Sequence, residues 1–410
     1  MIKMNDKRKI LVVTHQYIPH VSPRTTRWKL IVDDLVKRGH EVTVITGTKQ
    51  LDEEKNIIYV GNKSASSVVT QMREKSNNLS ESNFIKSFFY KFLKKIYRII
   101  VKTFAWPDYS MFWLFSIYRN RKKINIDYDL IVSVSLPFSS HIAAYILNKK
   151  NKKKWIMDIG DPYTLKKDAP ENNTILYGYL NKHYENKFYS LASKIIFTHE
   201  DAMSAHVDYF DIDKEKTFIG NPISNFKEEL FSRSLEYNYN SRPINFGYFG
   251  VFTKGVRSPK NFMKYFKGTE DIQLHWYVND DSKNEIIIHN NDLDSIFHPL
   301  VDRDEALKLM VGSFHCLVSI GNLNTRQLPS KVIEYISTGK PVIHFCEVEN
   351  DPVVNIAKDF NNLFIVSETT NKDKLLSQLS KFYENVSTFN KDLFIEKYTA
   401  HSITNILNSS

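Results

Sequence analysis

Short apolar runs alternate with amphipathic stretches along most of the chain. Lys9–Thr14 (KILVVT) is a β-branched run bounded by polar residues, which predicts a buried strand. Apolar residues recur at helical spacing over residues 26–38, and Gly39 follows as a C-cap. Glu41–Thr46 (EVTVIT) is the next predicted strand. Together they predict a right-handed βαβ unit, whose ligand site lies at the carboxyl ends of its strands.

The alternation continues and then starts again after Asn221-Pro222. Before this point we predict strands at 129–135, 154–159 and 194–199, and helices at 139–150 and 176–192. After it we predict strands at 244–252, 273–278, 315–320, 341–345 and 363–367, and helices at 259–266, 304–311, 330–338, 372–383 and 391–408. Two such series predict an α/β protein with two Rossmann-like, doubly wound domains facing a central cleft. We place these domains at residues 1–222 and 223–390.

Residues 50–128 interrupt the series. Residues 84–104 hold six Lys and Arg and no acid, and on a helical wheel eight apolar residues fall within one arc of about 140°. The opposite side carries Lys91, Lys94, Lys95, Arg98 and Lys102. The next stretch then adds Trp106, Tyr109, Phe112, Trp113 and Phe115. We therefore predict an amphipathic basic insertion at about 84–118. The alternative is that its apolar arc packs on the sheet of the first domain.

The net charge of +10 is unevenly distributed. Residues 1–200 carry 34 Lys and Arg against 18 Asp and Glu, whereas residues 201–410 carry 22 against 28. The basic half predicts an anionic partner, either nucleic acid or an anionic membrane face. A surface for single strands mixes basic and aromatic residues, whereas a helix at a bilayer separates them, as residues 84–104 do. We therefore predict no nucleic-acid partner and membrane docking through residues 84–113, with Trp106, Tyr109 and Trp113 at the headgroups.

Cysteine usage and hydropathy bear on the compartment. Cys316 and Cys346 both lie in apolar runs, so they imply neither a disulfide framework nor a zinc site and suit a reducing cytosol. The apolar run near the N-terminus is too short for a signal peptide, and no run reaches the ~18 apolar residues that a membrane span needs. We expect a cytoplasmic protein that is peripheral on the inner face of the cell membrane.

The most specific segment is 326–345, RQLPSKVIEYISTGKPVIHF. Pro329 and Ser330 open a predicted helix, whose free backbone N–H groups and Lys331 would hold a diphosphate. Glu334 follows one turn later, within reach of a pair of sugar hydroxyls such as those of a ribose. The alternative is an ordinary capped helix between two strands.

Four segments resemble, in order along residues 9–345, motifs of the family-4-type glycosyltransferases of GT-B fold that build bacterial capsule, O-antigen and exopolysaccharide. They are KILVVTHQYIPH with RWKLIVDDLVKRGHEVTVITG, WIMDIGDPYT, GYFGVFTKGVRSP and LPSKVIEYISTGKPVI. The resemblance implies transfer of a sugar, with retained configuration, from a nucleotide diphosphate sugar to a glycan or lipid-linked glycan. It implies an acceptor site in the first domain, a donor site in the second, and no bound cofactor or metal. It also implies that a helix within 391–410 crosses back to the first domain.

The resemblance assigns donor-binding roles in the second domain. Glu334 matches the glutamate that holds the ribose of the donor. Lys331 and Ser330 match the start of the phosphate-binding helix, and Lys254 and Gly255 match a Lys-Gly pair whose lysine faces the diphosphate.

Arg257 is a companion candidate at the donor site, and two departures from the family pattern stand beside these matches. The E-x7-E pattern would need Glu at position 326, where this chain has Arg326, so the usual contact to the donor sugar hydroxyls is in question. The Gly-Gly pair in the loop after the first strand is replaced by Ser-Pro-Arg-Thr at 22–25. This suggests that Arg24 or Arg27 meets an anionic group where backbone amides normally would.

Candidate catalytic residues lie in the first domain. Asp158 and Asp161 flank a strand end, and Asp161 could orient the acceptor hydroxyl or take its proton, or alternatively cap a turn. In many relatives a His or Arg precedes the second of these aspartates, where this chain has Gly160. His141, one turn into a predicted helix, and His15, after the first strand, are weaker candidates that could simply pack.

Metal chemistry finds little support in the sequence. The four D-x-D pairs are background in a chain with many acids, and none follows a strand of a βαβ unit. Two alternatives to a glycosyltransferase stay open: a GT-B-like sugar-nucleotide epimerase, and an inactive scaffold of a polysaccharide assembly complex.

Overall fold

The computed structural model describes residues 7–20, 22–50, 56–61, 103–124, 126–167, 170–253, 255–269, 271–289, 293–323, 329–384 and 389–409. The predictions for residues 84–102, Lys254 and Arg326 lie outside these ranges. The chain divides into two compact units: unit 1 is Met1–Asn221 with Ile403–Ser410, and unit 2 is Pro222–Ser402.

Seven strands and the helices between them make up the described part of residues 1–221. The strands are β1 (Lys9–Thr14), β2 (Glu41–Thr46), β3 (Ile57–Tyr59), β4 (Leu130–Val134), β5 (Lys154–Ile159), β6 (Lys194–Phe197) and β7 (Thr217–Ile219). The helices are α1 (Pro23–Lys37), α2 (Met111–Asn120), α3 (Ser139–Asn148), α4 (Thr174–Leu191) and α5 (Glu200–Phe210), with a 3₁₀ turn at Lys214–Lys216.

The remaining elements follow from residue 222 onward. The strands are β8 (Ile244–Phe249), β9 (Ile272–Tyr277), β10 (Asp294–His298), β11 (Cys316–Ile320), β12 (Val342–Phe345) and β13 (Leu363–Val366). The helices are α6 (Glu228–Leu235), α7 (Lys260–Phe266), α8 (Asp280–His289), α9 (Arg303–Ser313), α10 (Ser330–Ile336), α11 (Val353–Ile356), α12 (Lys372–Glu384), α13 (Lys391–Tyr398) and α14 (Ala400–Asn408).

Each unit is built on one parallel sheet. The strand order is β3-β2-β1-β4-β5-β6-β7 in unit 1 and β10-β9-β8-β11-β12-β13 in unit 2. In the centre of the first sheet, Val12 pairs with Val44 on one side and Val132 on the other. All three are buried, because helices cover both faces of such a sheet, which explains the continuous apolar runs. The predicted fold class, α/β with two Rossmann-like domains, is confirmed.

Helix α14 contributes its buried face to unit 1. Ile403 is fully buried, and the Thr404 hydroxyl donates to Asp34 of α1 at 2.7 Å. Lys194 at the start of β6 donates its ammonium to the Ile406 carbonyl at 2.7 Å. The C-terminal residues are therefore bound to α1 and β6 of unit 1 by both apolar and polar contacts.

One predicted helix is wrong, and three strands are missing from the prediction. The single helix expected over 391–408 is two helices, because Thr399 is extended and its hydroxyl donates to the Ile395 carbonyl at 2.6 Å. The missing strands are β3, β7 and β10, and all three lie at an edge of their sheet, where no residue of β3, β7 or β10 is fully buried.

Trp113 also departs from its predicted place. It is only 4% exposed and packs edge-to-face on His15, with ring centroids 5.2 Å apart. The exposed aromatic residues of α2 are instead Phe112, Phe115 and Tyr118. Trp113 therefore cannot lie in lipid headgroups in this fold. No helix in the described part of the chain is long and apolar enough to cross a membrane.

Candidate active site

In unit 2, the start of α10 is fastened to the carboxyl end of β8. Lys331 Nζ donates to the Phe249 carbonyl at 2.8 Å, and the Tyr335 hydroxyl donates to the same oxygen at 3.0 Å. The Phe249 N–H donates in turn to the Tyr335 hydroxyl at 3.1 Å. Each of these bonds joins a side chain of α10 to the backbone of Phe249. Together they fix the start of α10 beside the end of β8.

A cavity of about 220 Å³ opens beside this strand end, lined by Gly250, Val251, Arg257, Leu300 and Lys331. A Cβ at Gly250 would lie 3.6 Å from Lys331 Nζ, so the glycine leaves the space in front of the ammonium group unfilled. Arg257 is oriented by donation from its Nη2 to Asn322 Oδ1 at 2.9 Å. Two cations lining one small cavity favour an anionic ligand.

The ammonium group of Lys331 is crowded by protein atoms although the residue as a whole has an exposed surface. This desolvation lowers the pKa of Lys331; Glu334 opposes the shift and Arg257 adds to it. An anion in the cavity would favour the charged form of the lysine, because an opposite charge nearby stabilises it.

Glu334 lies one turn further along α10 and forms an ion pair. Arg303 Nε donates to Glu334 Oε1 at 2.7 Å, and the glutamate side chain is 15% exposed against 46% for the arginine. Sequence analysis missed Arg303. This residue follows Asp302, the N-cap of α9, and no neighbouring residue in the chain indicates a contact with Glu334. The second carboxylate oxygen, Oε2, has no partner among the described residues.

The other donor-site candidates are less informative. Gly255 is exposed with a left-handed backbone (φ 77°), and no atom lies within 4 Å of the position of a Cβ. Ser330 begins α10 as predicted. Lys254 and Arg326 lie outside the described residues.

In unit 1, Asp158 of β5 is completely buried and anchors two residues of α1. Its Oδ2 accepts from Arg24 Nη1 and from Trp28 Nε1, both at 2.7 Å, while Oδ1 has no partner among the residues that the structure describes. Asp158 therefore positions Arg24. The pair joins residues that are 134 positions apart, which is why sequence analysis did not connect them.

Arg27 binds the backbone where the first segment of unit 1 ends. It is buried, and its two terminal nitrogens donate to the carbonyl groups of Gly220, at 2.9 Å, and of Asn221. Burial lowers the pKa of Arg27 to about 10. Of the two arginines that the sequence predicts to meet an anion, Arg27 binds backbone carbonyl groups and Arg24 binds the Asp158 carboxylate. Their roles toward an anion stay predictions.

His141 is completely buried and forms a hydrogen bond through Nδ1. Its partner is the Ser133 hydroxyl at 2.6 Å, which also accepts from Trp155 Nε1 at 2.8 Å. Burial lowers the pKa of His141 to about 3.

Asp161 and His15 lie at the carboxyl ends of β5 and β1. Asp161 is half-buried, and no described residue makes a hydrogen bond or ion pair with its carboxylate. His15 packs edge-to-face on Tyr109 and Trp113, and burial lowers its pKa to about 4. Neither the catalytic role of Asp161 nor that of His15 is tested by these contacts, and both stay predictions.

One group among the described residues has the composition of a metal site. His344, Cys346 and Asp351 place their ligand atoms within 4.8 Å of one another, at the carboxyl end of β12. His344 is already hydrogen-bonded on both nitrogens, to Ser319 at 3.0 Å and to Asp351 at 3.1 Å. Both ring nitrogens of His344 are therefore used within the protein, and the group is explained by this buried hydrogen-bond network.

Solved structures share this architecture at low sequence identity. The Anabaena protein Alr3699/HepE in complex with UDP and glucose matches with a TM-score of 0.55 and 9% identity, over 98% of this chain and 100% of that one. WaaG, a glycosyltransferase involved in lipopolysaccharide biosynthesis, matches with a TM-score of 0.50 and 11% identity, over 98% of this chain and 100% of that one. The UDP-GlcNAc 2-epimerase from Methanocaldococcus jannaschii matches with a TM-score of 0.53 and 13% identity, again over 98% of this chain and 100% of that one. No protein-family model and no curated protein matches the sequence. These likenesses define a GT-B fold.

The neutral state of His141 predicts a specific loss of stability in acid. Its folded pKa lies below the unfolded value of 6.5, so the stability it contributes is complete above pH 6.5 and is lost as pH falls toward 3. The loss should approach about 1.4 kcal/mol per pH unit below 6.5. His141→Asn keeps a hydrogen-bond partner for Ser133 and does not titrate, so its free energy of unfolding should fall less steeply between pH 6.5 and 4.5.

Urea unfolding at several pH values measures this slope. His183→Asn, on the exposed side of α4, is the matched control and should keep the slope of the unmodified protein. Equal slopes for the two variants would show that His141 is not held neutral by the fold.

Proposed function

We propose that the protein is a glycosyltransferase that moves a sugar from a nucleotide diphosphate sugar to a glycan or lipid-linked glycan during bacterial surface polysaccharide synthesis. The observation that carries this proposal is the cavity at the end of β8, where Lys331 and Arg257 meet one helical turn from Glu334. The sequence resemblance supports the same activity, and so does the fold shared with a protein that binds UDP and glucose.

The donor would be held by charge and by hydroxyl recognition. Lys331 and Arg257 would bind the diphosphate, with Lys254 as a further cation by resemblance. Glu334 would accept from the ribose hydroxyls through Oε2, because Arg303 occupies only Oε1. Arg303 thus fixes the carboxylate without blocking it. Arg326 would replace the usual glutamate near the donor sugar.

The transfer itself would depend on charge stabilisation at the leaving group. Negative charge accumulates on the diphosphate as the sugar departs, and cations fixed in place before the reaction stabilise it without reorganisation. By resemblance the reaction retains configuration and needs no metal. Asp161 would orient the acceptor hydroxyl or take its proton in unit 1.

A sugar-nucleotide epimerase is the second candidate, because an epimerase shares the fold. Such an enzyme would convert the nucleotide sugar without any acceptor and without releasing nucleoside diphosphate. Product analysis of the same incubation separates the two activities.

A panel of nucleotide sugars tests the donor site. A donor that binds should raise the melting temperature by mass action and be slowly hydrolysed. Glu334→Ala and Lys331→Ala should keep the fold and weaken binding of that donor roughly 10- to 100-fold, the value of one charge-assisted hydrogen bond. Calorimetry measures the affinity, with Lys264→Ala on the exposed side of α7 as control. Unchanged affinity in both site variants would remove the donor-site assignment.

Asp161→Asn should lower turnover by roughly 100-fold or more, since a positioned acid–base group contributes that much, while donor affinity stays constant. Steady-state kinetics and the melting temperature are measured together, with Asp208→Asn on α5 as an exposed control. If the residue only stabilises a turn, Asp161→Asn will melt earlier and keep its rate per folded molecule.

We also propose that residues 84–113 dock the protein on anionic membrane. Each basic residue at such a surface contributes about 1 kcal/mol. Replacing Lys91, Lys94, Lys95 and Arg98 by Glu should therefore release the protein from anionic vesicles in flotation assays while donor binding survives. The matched control is the same exchange at the exposed run Lys149, Lys150, Lys152 and Lys153. An unmodified protein that fails to float at low salt would overturn the proposal.

A further inference from the structure

The first two turns of α4 present a group of apolar side chains to solvent. Ile175 is 94% exposed, Tyr179 81%, Leu176 56% and Leu180 37%. Residues four apart lie on the same face of a helix, so Ile175 adjoins Tyr179 and Leu176 adjoins Leu180. Single exposed apolar residues are ordinary on a protein, whereas a contiguous group marks a place of contact. We call these four side chains the α4 surface.

This end of α4 is held by polar contacts on its inner side. The Asn173 side chain caps the helix, because it accepts from the N–H groups of Ile175, at 3.0 Å, and of Leu176, at 3.3 Å. The buried Asn181 side chain donates to the buried Asn172 side chain at 2.9 Å, which joins the helix to the residue before its cap. The α4 surface is therefore exposed on an ordered helix end rather than on a frayed one.

The α4 surface lies at the carboxyl edge of the sheet of unit 1. Because α4 connects the parallel strands β5 and β6, it runs back across the sheet and begins beside the strand ends. Asn172 also donates to the Tyr163 hydroxyl at 2.9 Å, and Tyr163 follows the candidate residue Asp161 by two positions. The α4 surface and Asp161 therefore share one edge of unit 1.

The exposed charge of α4 is basic. Glu185, the one acid of the helix, is buried, whereas Lys182 and His183 are exposed. Phe104, which belongs to the segment 84–113, is 67% exposed and adjoins the helix, since its carbonyl accepts from the Tyr177 hydroxyl at 3.1 Å. Apolar side chains beside basic ones suit an anionic bilayer. A second copy of the same surface would instead bring like charges together.

We infer that the α4 surface contacts an anionic bilayer and turns the carboxyl edge of unit 1 toward the membrane. Ile175 and Tyr179, the most exposed of the four side chains, would enter the headgroup region. An acceptor that reaches Asp161 in this orientation keeps its lipid in the bilayer, so the acceptor class is a lipid-linked glycan. The inference rests on the proposed function for the acceptor, whereas all four residues of the surface lie outside the segment 84–113.

Flotation with vesicles of phosphatidylglycerol and phosphatidylcholine tests the contact. Ile175→Ser combined with Tyr179→Ser should weaken vesicle binding roughly tenfold or more, because the burial of two large side chains is lost. Both residues are exposed, so the melting temperature should stay the same. The matched control is Ile287→Ser combined with Ile288→Ser on α8 of unit 2, where the side chains are 51% and 72% exposed. The control should bind vesicles like the unmodified protein.

A spin label measures the contact without removing it. Ile175→Cys is labelled in a Cys346→Ser background, since Cys316 is buried and Cys346 is half-buried. On vesicles the label at 175 should become accessible to oxygen and inaccessible to a water-soluble nickel chelate. A label at Ile288→Cys in the same background should stay accessible to the chelate.

Three results would overturn the inference. The first is unchanged flotation of the serine variant, or a label at 175 that stays in water on vesicles. The second is a lipid-free dimer in sedimentation that needs Ile175 and Tyr179, and the third is equal turnover of a water-soluble glycan with and without vesicles. Failure of the proposed function is distinct, because no nucleotide sugar would then bind while flotation still depends on Ile175 and Tyr179.

Discussion

Parallel pairing of the strands is the constraint on which the rest of the structure depends. A parallel strand cannot be reached by a tight turn, so each connection carries a helix across the sheet and every strand ends at the same edge. The candidate site residues therefore lie at the carboxyl ends of the strands. His15 follows β1, Asp161 follows β5 and Gly250 follows β8. In unit 2 the same rule brings the start of α10 beside the end of β8, although about eighty positions separate them.

The interior strands could be predicted closely because both of their faces are buried. β1, β2 and β5 have the predicted bounds, because the apolar residues of each are buried in the sheet. Edge strand β10 has one covered side and a mixed pattern, so its sequence resembles a loop. The break at Thr399 depends on one hydrogen bond, from the Thr399 hydroxyl to the Ile395 carbonyl. The spacing of apolar residues does not reveal such a bond.

The candidate site divides in the same way. Lys331 and Glu334 could be predicted because they stand on one helix at a spacing that defines a face. Arg303 could not, because its partner is contributed by a different helix. Asp158 is the clearest case: the sequence shows an acid near a strand end, whereas the structure shows a buried carboxylate that binds Arg24 and Trp28 of α1. The residues in this contact are far apart in the chain, so it becomes visible only after folding.

The carboxylate of Asp158 has an evolutionary consequence. Through one oxygen atom it binds Arg24 and Trp28, which lie one turn apart on α1. A lineage that replaces Asp158 with an apolar residue leaves the arginine without its counter-charge and the indole N–H without its acceptor. Positions 24, 28 and 158 should therefore be substituted together among descendants of this chain.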